Sequence, residues 1–505
     1  MTFPSSHIAK EDHLAAFIKR FEQALRDAFY EHADINQLSL QRGLPASVWT
    51  RIMDVVPLSV AIPREYGGRG CIVKECLALL SAASYESLPL SLTFGINIAL
   101  FLEPVAKYAN EEVKGPIFNR FLTDQCMGGL MITEPDYGSD ALNMRTSYQQ
   151  EGAGYHIAGT KHWQGLTGQA DFWLVAARSQ LPNGELARDI DFFISDNALP
   201  TQQIKVERLY NNLGLYMIPY GLNTIDIHVP AQQRLEPEST GIKMMLDILH
   251  RSRMQFPGMG MGFIKRMLDE AVNHCSQRMV GSSNLLALDS VQFQLSRIQS
   301  AYTICSAMCF RSSQISGIQH NLAVEGLEAN AMKALVTDLM QESAQLCLQV
   351  SGANGYKISH IAGRGIVDSR PFQIFEGSNE MLYTQIAEMV LKKMKKGKET
   401  NLLAYLATFD LTQHAAGHFK KPLDFTPGDV LTQRKLVDLG KIISRVIAGS
   451  YVLAIADRGF RDDLVTGCIE NIRMDIAHLV SNLYLDSRSQ VIDDYVSGSD
   501  WLSFT

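Results

Sequence analysis

Cysteine is scarce in this chain, with eight residues in 505. That density excludes a disulfide-stapled scaffold. The closest pairs, Cys71/Cys76 and Cys305/Cys309, have no histidine at metal-ligand spacing, so no metal is expected. All eight are read as reduced thiols, which fits a cytoplasmic protein. A basic excess is also missing. Lys and Arg number 46 against 53 Asp and Glu, a net charge of −7, which gives no support to nucleic-acid binding. Long apolar runs are absent too. The longest uncharged one, "SLPLSLTFGINIALFL" (87–102), is short for a membrane span and contains Ser, Thr and Asn. It is read as a buried helix, and no integral membrane segment is expected. The first residues, "MTFPSSHIAKEDHLAAF", lack a basic region followed by an apolar one, so no secretory signal is expected. There are no internal repeats and no low-complexity tract.

What is present is an ordinary globular composition, 46% hydrophobic and 20% charged. The organisation changes along the chain. Residues 1–125 read as helical, with Leu14, Phe17, Phe21, Leu25 and Phe29 on one face at helical spacing. Residues 126–240 carry short stretches rich in β-branched and aromatic residues: "GYHIAGTKHWQG", "DFWLVAARS", "DIDFFISD" and "NTIDIHVP". They are separated by Gly, Asn, Asp and Pro, and read as a small, barrel-like β-domain. Residues 241–396 return to long helical patterns that suit an antiparallel four-helix bundle. "KKMKKGKET" (392–400) reads as a solvated helix end, and 397–505 as an extra helical segment. The fold class is therefore α+β, with helical, β and helical regions in succession and a helical extension.

Several stretches carry candidate chemistry. "GMGMG" (258–262) lies inside a helical pattern and is read as helix packing, not a dinucleotide fingerprint. "MITEPDYGSD" (131–140) and "GTKHWQG" (159–165) read either as a strand, a turn and a hairpin, or as a cofactor cradle. In the second case Thr133 and Ser139 supply hydroxyls and Trp163 a flat surface for a planar ring. Glycines in "LQVSGANGY" (348–356) permit close backbone approach. Asp368 and Arg370 are read as a structural ion pair. In "PFQIFEGSNE" (371–380), Glu376 follows Ile374 and Phe375, and is either an exposed turn residue or a base held against an apolar pocket.

Taken together, these segments resemble the flavin-dependent acyl-CoA dehydrogenase family over about residues 10–395. "ITEPDYGSD", "GTKHW", "GANGY" and "DSRPFQIFEGSNE" are similar to that family's motifs and occur in its order. The resemblance implies a helical domain, a β-domain and a four-helix bundle, with FAD as cofactor. It implies that Glu376 removes the α-proton of an acyl thioester while flavin N5 accepts the β-hydrogen as hydride. The base of some relatives precedes a family arginine. Here that arginine resembles Arg253, and the preceding Ser252 is no acid. By the same resemblance, Ile132, Thr133, Ser139, Trp163 and Gly165 face the flavin ring. Arg278, Gln349, Val350, Gly352 and Ala353 face the adenine and pyrophosphate part of FAD across a subunit interface, and Ser378 and Glu380 fall where the family also touches FAD. Ser139, Arg253 and Gly377 face the thioester ligand.

The departures from the family pattern are specific. Gly165 stands where a hydroxyl is usual, Asp289 for a glutamine after Arg278, Ala353 for a glycine and Glu388 for a late arginine. They keep an acyl-carrier-protein thioester open beside the CoA thioester. An acyl-thioester oxidase and a non-enzymatic scaffold are the further alternatives. Residues 401–505 hold 10 Lys/Arg and 13 Asp/Glu, which argues against the DNA-binding extension of some relatives. The amphipathic "KLVDLGKIISRVIAGSYVLAIADRGF" is expected to pack on the enzyme core, leaving a homodimer. An electron-transfer flavoprotein is the expected acceptor.

Overall fold

A computed structural model describes residues 13–428, 431–485 and 490–505. Residues 1–12, the start of the stretch read as lacking a secretory signal, lie outside the described residues. Helices of ten or more residues are labelled α1 to α11.

The N-terminal region holds α1 (Leu14–Arg26), α2 (Val73–Glu86), α3 (Leu88–Asn97) and α4 (Glu111–Thr123). The predicted stripe of α1 is buried at Phe17, Phe21 and Leu25, and Phe29 continues it through a π-turn. The apolar run at 87–102 is interior, as its composition predicted. Ser87 caps α3 by accepting from the Leu90 N–H, and every residue of α3 is buried. Two helical runs, Leu88–Tyr108 and Gln433–Ala456, are long and apolar enough to cross a membrane, and both are mostly buried in the fold.

The β-region is one seven-stranded sheet: β1 (Gly128–Met131), β2 (Ser147–Glu151), β3 (Gly154–Gly165), β4 (Phe172–Ser179), β5 (Asp191–Asp196), β6 (Lys205–Leu209) and β7 (Tyr220–Pro230). One edge of β4 serves two partners, β1 over its first half and β2 at its end, both parallel. Its other edge pairs antiparallel with β5. This sharing curls the sheet. The long β3–β7 ladder carries a bulge between His162 and Gln164, which pushes Trp163 out of register at φ +60°.

The bundle contains α5 (Gly241–Arg253), α6 (Phe256–Gln277), α7 (Asp289–Ile315), α8 (Gly326–Ser351) and α9 (Asn379–Gly397). "GMGMG" lies within α6, where a Cβ at Gly262 would collide with the Ser81 carbonyl and one at Gly260 would press on Val336. These glycines allow close helix approach. The final region contributes α10 (Gln433–Ala456) and α11 (Asp462–Tyr484), both packed on the bundle. Gly440 of α10 sits so close to α9 that a Cβ would meet the Tyr383 backbone. Tyr451 of α10 donates to Glu328 of α8, and Asp475 of α11 pairs with Arg297 of α7 and Arg445 of α10. The amphipathic stripe thus covers the enzyme core.

Candidate active site

The loop after β1 is fastened to β3 by polar groups that the sequence places a strand apart. The His162 N–H and the Gln164 amide both donate to the Thr133 carbonyl, at 3.0 and 3.1 Å. Lys161 is fully buried and donates to the Ile132 carbonyl at 2.9 Å and to Glu134 at 3.0 Å. Glu134 also accepts from the N–H groups of Arg145 and Thr146 and from the Thr146 hydroxyl. Burial draws Lys161 down to about 8, with Glu134 opposing that fall. The result is a rigid rim carrying Ile132, Thr133 and an exposed Ser139.

Trp163 is 51% exposed at the end of this rim, with Tyr210 4.5 Å away between ring centroids and Tyr220 at 6.2 Å. Gly165 is tightly enclosed, since a Cβ would lie 2.8 Å from Ile96 and 3.2 Å from Ile218. A larger hydroxyl residue would require the Ile96 side chain to shift.

The sheet end meets the bundle through the loop after β6. Leu215 donates its N–H to Asp368 at 2.6 Å, and Gly214 lies against the Val367 carbonyl. Asp368 is therefore not the partner of Arg370, contrary to the sequence expectation. Arg370 donates to Gln373 instead, at 2.9 Å. Residues two apart on a helix point to different sides, so the pair cannot close. Burial pushes Asp368 up to about 6.

Beyond the short helix Ile361–Ser369, which carries Asp368, stands Glu376. Its backbone is left-handed, φ +53°, and Gly377 follows at φ +91°. The Ser252 hydroxyl donates to Glu376 Oε1 at 2.9 Å, while Oε2 is buried without a partner. Arg253 donates to the Glu376 carbonyl at 2.8 Å and to Asn330 at 2.7 Å. Burial pushes the Glu376 carboxyl up, and Arg253, Ser252 and Lys333 pull it back in part. Phe375, Phe372 and Phe256 form an aromatic cluster beside it. Glu376 as a residue is half-buried, its carboxyl faces Ser252, and the charges of Arg253 and Lys333 bear on it. Ser378 caps α9 by accepting from the Met381 N–H, Gly377 lies on Arg253, and Glu380 is exposed in the first turn.

The remaining sequence candidates lie elsewhere, all exposed except Val350, which is buried. Arg278 is exposed at the end of α6, before a short hairpin. Gln349 and Val350 end α8, and Gly352 (φ +57°) and Ala353 are exposed just after it. Asp289 opens α7, where its charge suits the positive end of the helix. One residue beside the Glu376 turn escaped sequence reasoning: Lys333 of α8, whose Nζ donates to the Gly377 carbonyl at 2.8 Å. Its flanking text "NAMKALV" offered the signal, a single charge among small and apolar helix positions.

The rim fits a flavin. It presents a half-exposed indole, two hydroxyl residues and a buried Gln164 Oε1 without a donor, a set suited to a planar, hydrogen-bonding ring.

Family models bear on the same residues. The N-terminal, middle and C-terminal domain models of acyl-CoA dehydrogenase match residues 14–125, 129–226 and 239–391. An acyl-CoA dehydrogenase of Bacillus subtilis (strain 168) is 24% identical over 341 residues, 66% of this chain and 86% of that one. The mitochondrial very long-chain specific acyl-CoA dehydrogenase of Mus musculus is 23% identical over 412 residues, 79% of this chain and 60% of its own length. Among solved structures, an acyl-CoA dehydrogenase complexed with FAD from Bacillus anthracis superposes with a TM-score of 0.74 at 19% identity, covering 96% of this chain and 92% of that one. The prolyl acyl carrier protein oxidase AnaB shares the fold at 18% identity, with a TM-score of 0.65 over 75% of this chain and 99% of that one. The order of helical, sheet and helical regions, the flavin rim and these matches together show that the chain belongs to the acyl-CoA dehydrogenase family, FAD-dependent oxidoreductases that dehydrogenate acyl thioesters.

Proposed function

We propose that this enzyme converts an acyl-CoA to the trans-2-enoyl-CoA, with Glu376 as the base that removes the α-proton. The observation that carries this reading is Glu376 Oε2, a carboxylate oxygen buried without a partner while Oε1 is held by Ser252. An unpaired buried oxygen is costly to folding, and its raised pKa makes it the better proton acceptor. FAD, when bound, supplies the acceptor for the β-hydrogen. Ile132, Thr133, Ser139, Trp163 and Gly165 would hold its ring, and Arg278, Gln349, Val350, Gly352, Ala353, Ser378 and Glu380 the remainder. Arg253 fixes the Glu376 carbonyl and so orients the turn. The Glu376 N–H would face the thioester oxygen and stabilise its developing charge. The abstracted proton stays on the Glu376 carboxyl.

A carrier-protein thioester is the second substrate reading. Asp289 and Glu388 are exposed carboxylates, poor neighbours for nucleotide phosphates. The electron acceptor is proposed to be an electron-transfer flavoprotein, with oxygen as the alternative. A homodimer is proposed from the exposed apolar residues Met279, Val280, Tyr356 and Ile358 around the Arg278 hairpin and the Gly352 turn. Eight free cysteines support a cytoplasmic location.

The test is anaerobic titration of the flavin-loaded protein with medium- and long-chain acyl-CoAs, alongside Glu376→Gln. Bleaching of flavin absorbance in wild type only is expected. Bleaching by carrier-protein thioesters alone would select the second substrate, and oxygen consumption during turnover would select the oxidase. A protein that binds no flavin and bleaches with neither substrate would be a scaffold.

A further inference from the structure

Two buried cations hold two successive carbonyls of the catalytic turn. Arg253, from α5, donates to the Glu376 carbonyl at 2.8 Å. Lys333, from α8, donates to the Gly377 carbonyl at 2.8 Å and to Asn379 Oδ1 at 3.0 Å. Lys333 is 0% exposed, and its ammonium donates to a backbone carbonyl and an amide oxygen rather than to a carboxylate. A methionine would fill the same space without desolvating a charge. The lysine therefore does something that packing alone does not require.

Both turn residues are left-handed, and for Glu376 that conformation is strained. A strained turn persists only where its surroundings hold it. In a trans peptide the C=O and N–H point opposite ways. Carbonyls fixed towards the two cations turn the N–H groups of Gly377 and Ser378 away from them, and the Glu376 side chain leaves on the side of Ser252.

We propose that Lys333 is, with Arg253, a positioning residue of the catalytic turn, its ammonium holding the Gly377 carbonyl and Asn379 Oδ1 and so fixing where the Glu376 side chain leaves the backbone. This rests on Glu376 being the base. The charged groups bearing on Lys333 are Glu376, Arg253, Asp338 of its own helix and Glu380 of α9. Asn379 Oδ1 accepts from the ammonium and also from the Thr337 hydroxyl. Burial draws Lys333 down to about 7 and pushes Glu376 up, so each ionised form supports the other.

The experiment compares flavin-loaded wild type, Lys333→Met and Lys333→Arg, with Glu376→Gln as control. The pH dependence of flavin bleaching by an acyl thioester is followed for each, with KM and kcat separated. Lys333→Met is expected to move the acid limb up by about one pH unit, a loss of about tenfold below it, with KM little changed. Lys333→Arg should restore part of the shift. Thermal melting gives a readout apart from activity. A lysine whose folded pKa is lowered binds fewer protons folded than unfolded between about 7 and 10.5, so wild-type stability rises with pH across that window. Lys333→Met should flatten that rise. Should Lys333→Met fail to fold, Asn379→Ala, which removes the second anchor, is expected to shift the limb in the same direction by less. Wild type that bleaches, with an unchanged profile in these variants, would overturn the Lys333 role alone. Wild type that binds flavin but does not bleach with either thioester class would overturn the base assignment and this role with it.

Discussion

The Ser252 hydroxyl donates to one oxygen of Glu376 at 2.9 Å and leaves the other oxygen bare. Serine cannot be the base, yet it orients the group that is proposed to be one. A hydrogen bond donated to the ionised form favours ionisation. Ser252→Ala should therefore raise the Glu376 pKa further and move the acid limb of kcat/KM upward, by about half to one pH unit. The same variant should leave flavin content unchanged. A profile superimposable on wild type would show that the contact is incidental.

Trp163 offers a half-exposed face that packs mainly on Tyr210. Trp163→Ala should fold normally but bind FAD about 3- to 10-fold more weakly, the worth of one aromatic contact. Titration of the apoprotein, read by flavin fluorescence, measures this. Trp163→Phe should recover most of the affinity.

Gly440 is where the extension leans on α9. Gly440→Val should force the two helices apart and destabilise the protein by about 1–3 kcal/mol. Thermal melting reads the loss, and faster proteolysis within 401–505 would place it at the extension. Equal melting of variant and wild type would mean that α10 is free to shift.

Glu103 is buried beside Gln255, which donates to it at 2.8 Å, and desolvation pushes it up to about 7 against the pull of Arg251. The folded state then keeps a proton that the unfolded chain releases between about pH 4.5 and 7. Stability falls as pH rises through that window, by about 3 kcal/mol at most. Glu103→Gln should remove the slope, and be more stable than wild type at pH 8 but not at pH 4.5. Denaturant midpoints at the two pH values decide it.

Much of this was legible in the residues. β3, β4, β5 and β7 carry β-branched and aromatic residues, β4 and β5 in continuous buried runs and β7 in alternation, which are the patterns that strand reading uses. β2 ("SYQQE") and β6 ("KVERL") do not. β6 is exposed along its whole length, so burial left no imprint on its sequence. Glu376 announced itself by its apolar neighbours, and Trp163 by its strand. Lys333 was hidden because a lysine in a helix is ordinarily solvated, and only the crossing of α8 under the turn buries it. The expected Asp368–Arg370 pair failed for a local reason, since residues two apart on a helix point to different sides, and Asp368 instead accepts from the Leu215 N–H of a distant loop.

The left-handed backbone at Glu376 has one more consequence. Glycine adopts that conformation freely and would also remove a buried, half-bonded carboxylate from the interior. Glu376→Gly should thus be inactive and yet melt at a higher temperature than wild type. At this position, durability and turnover pull in opposite directions, and the residue present is the one that the fold by itself would have replaced.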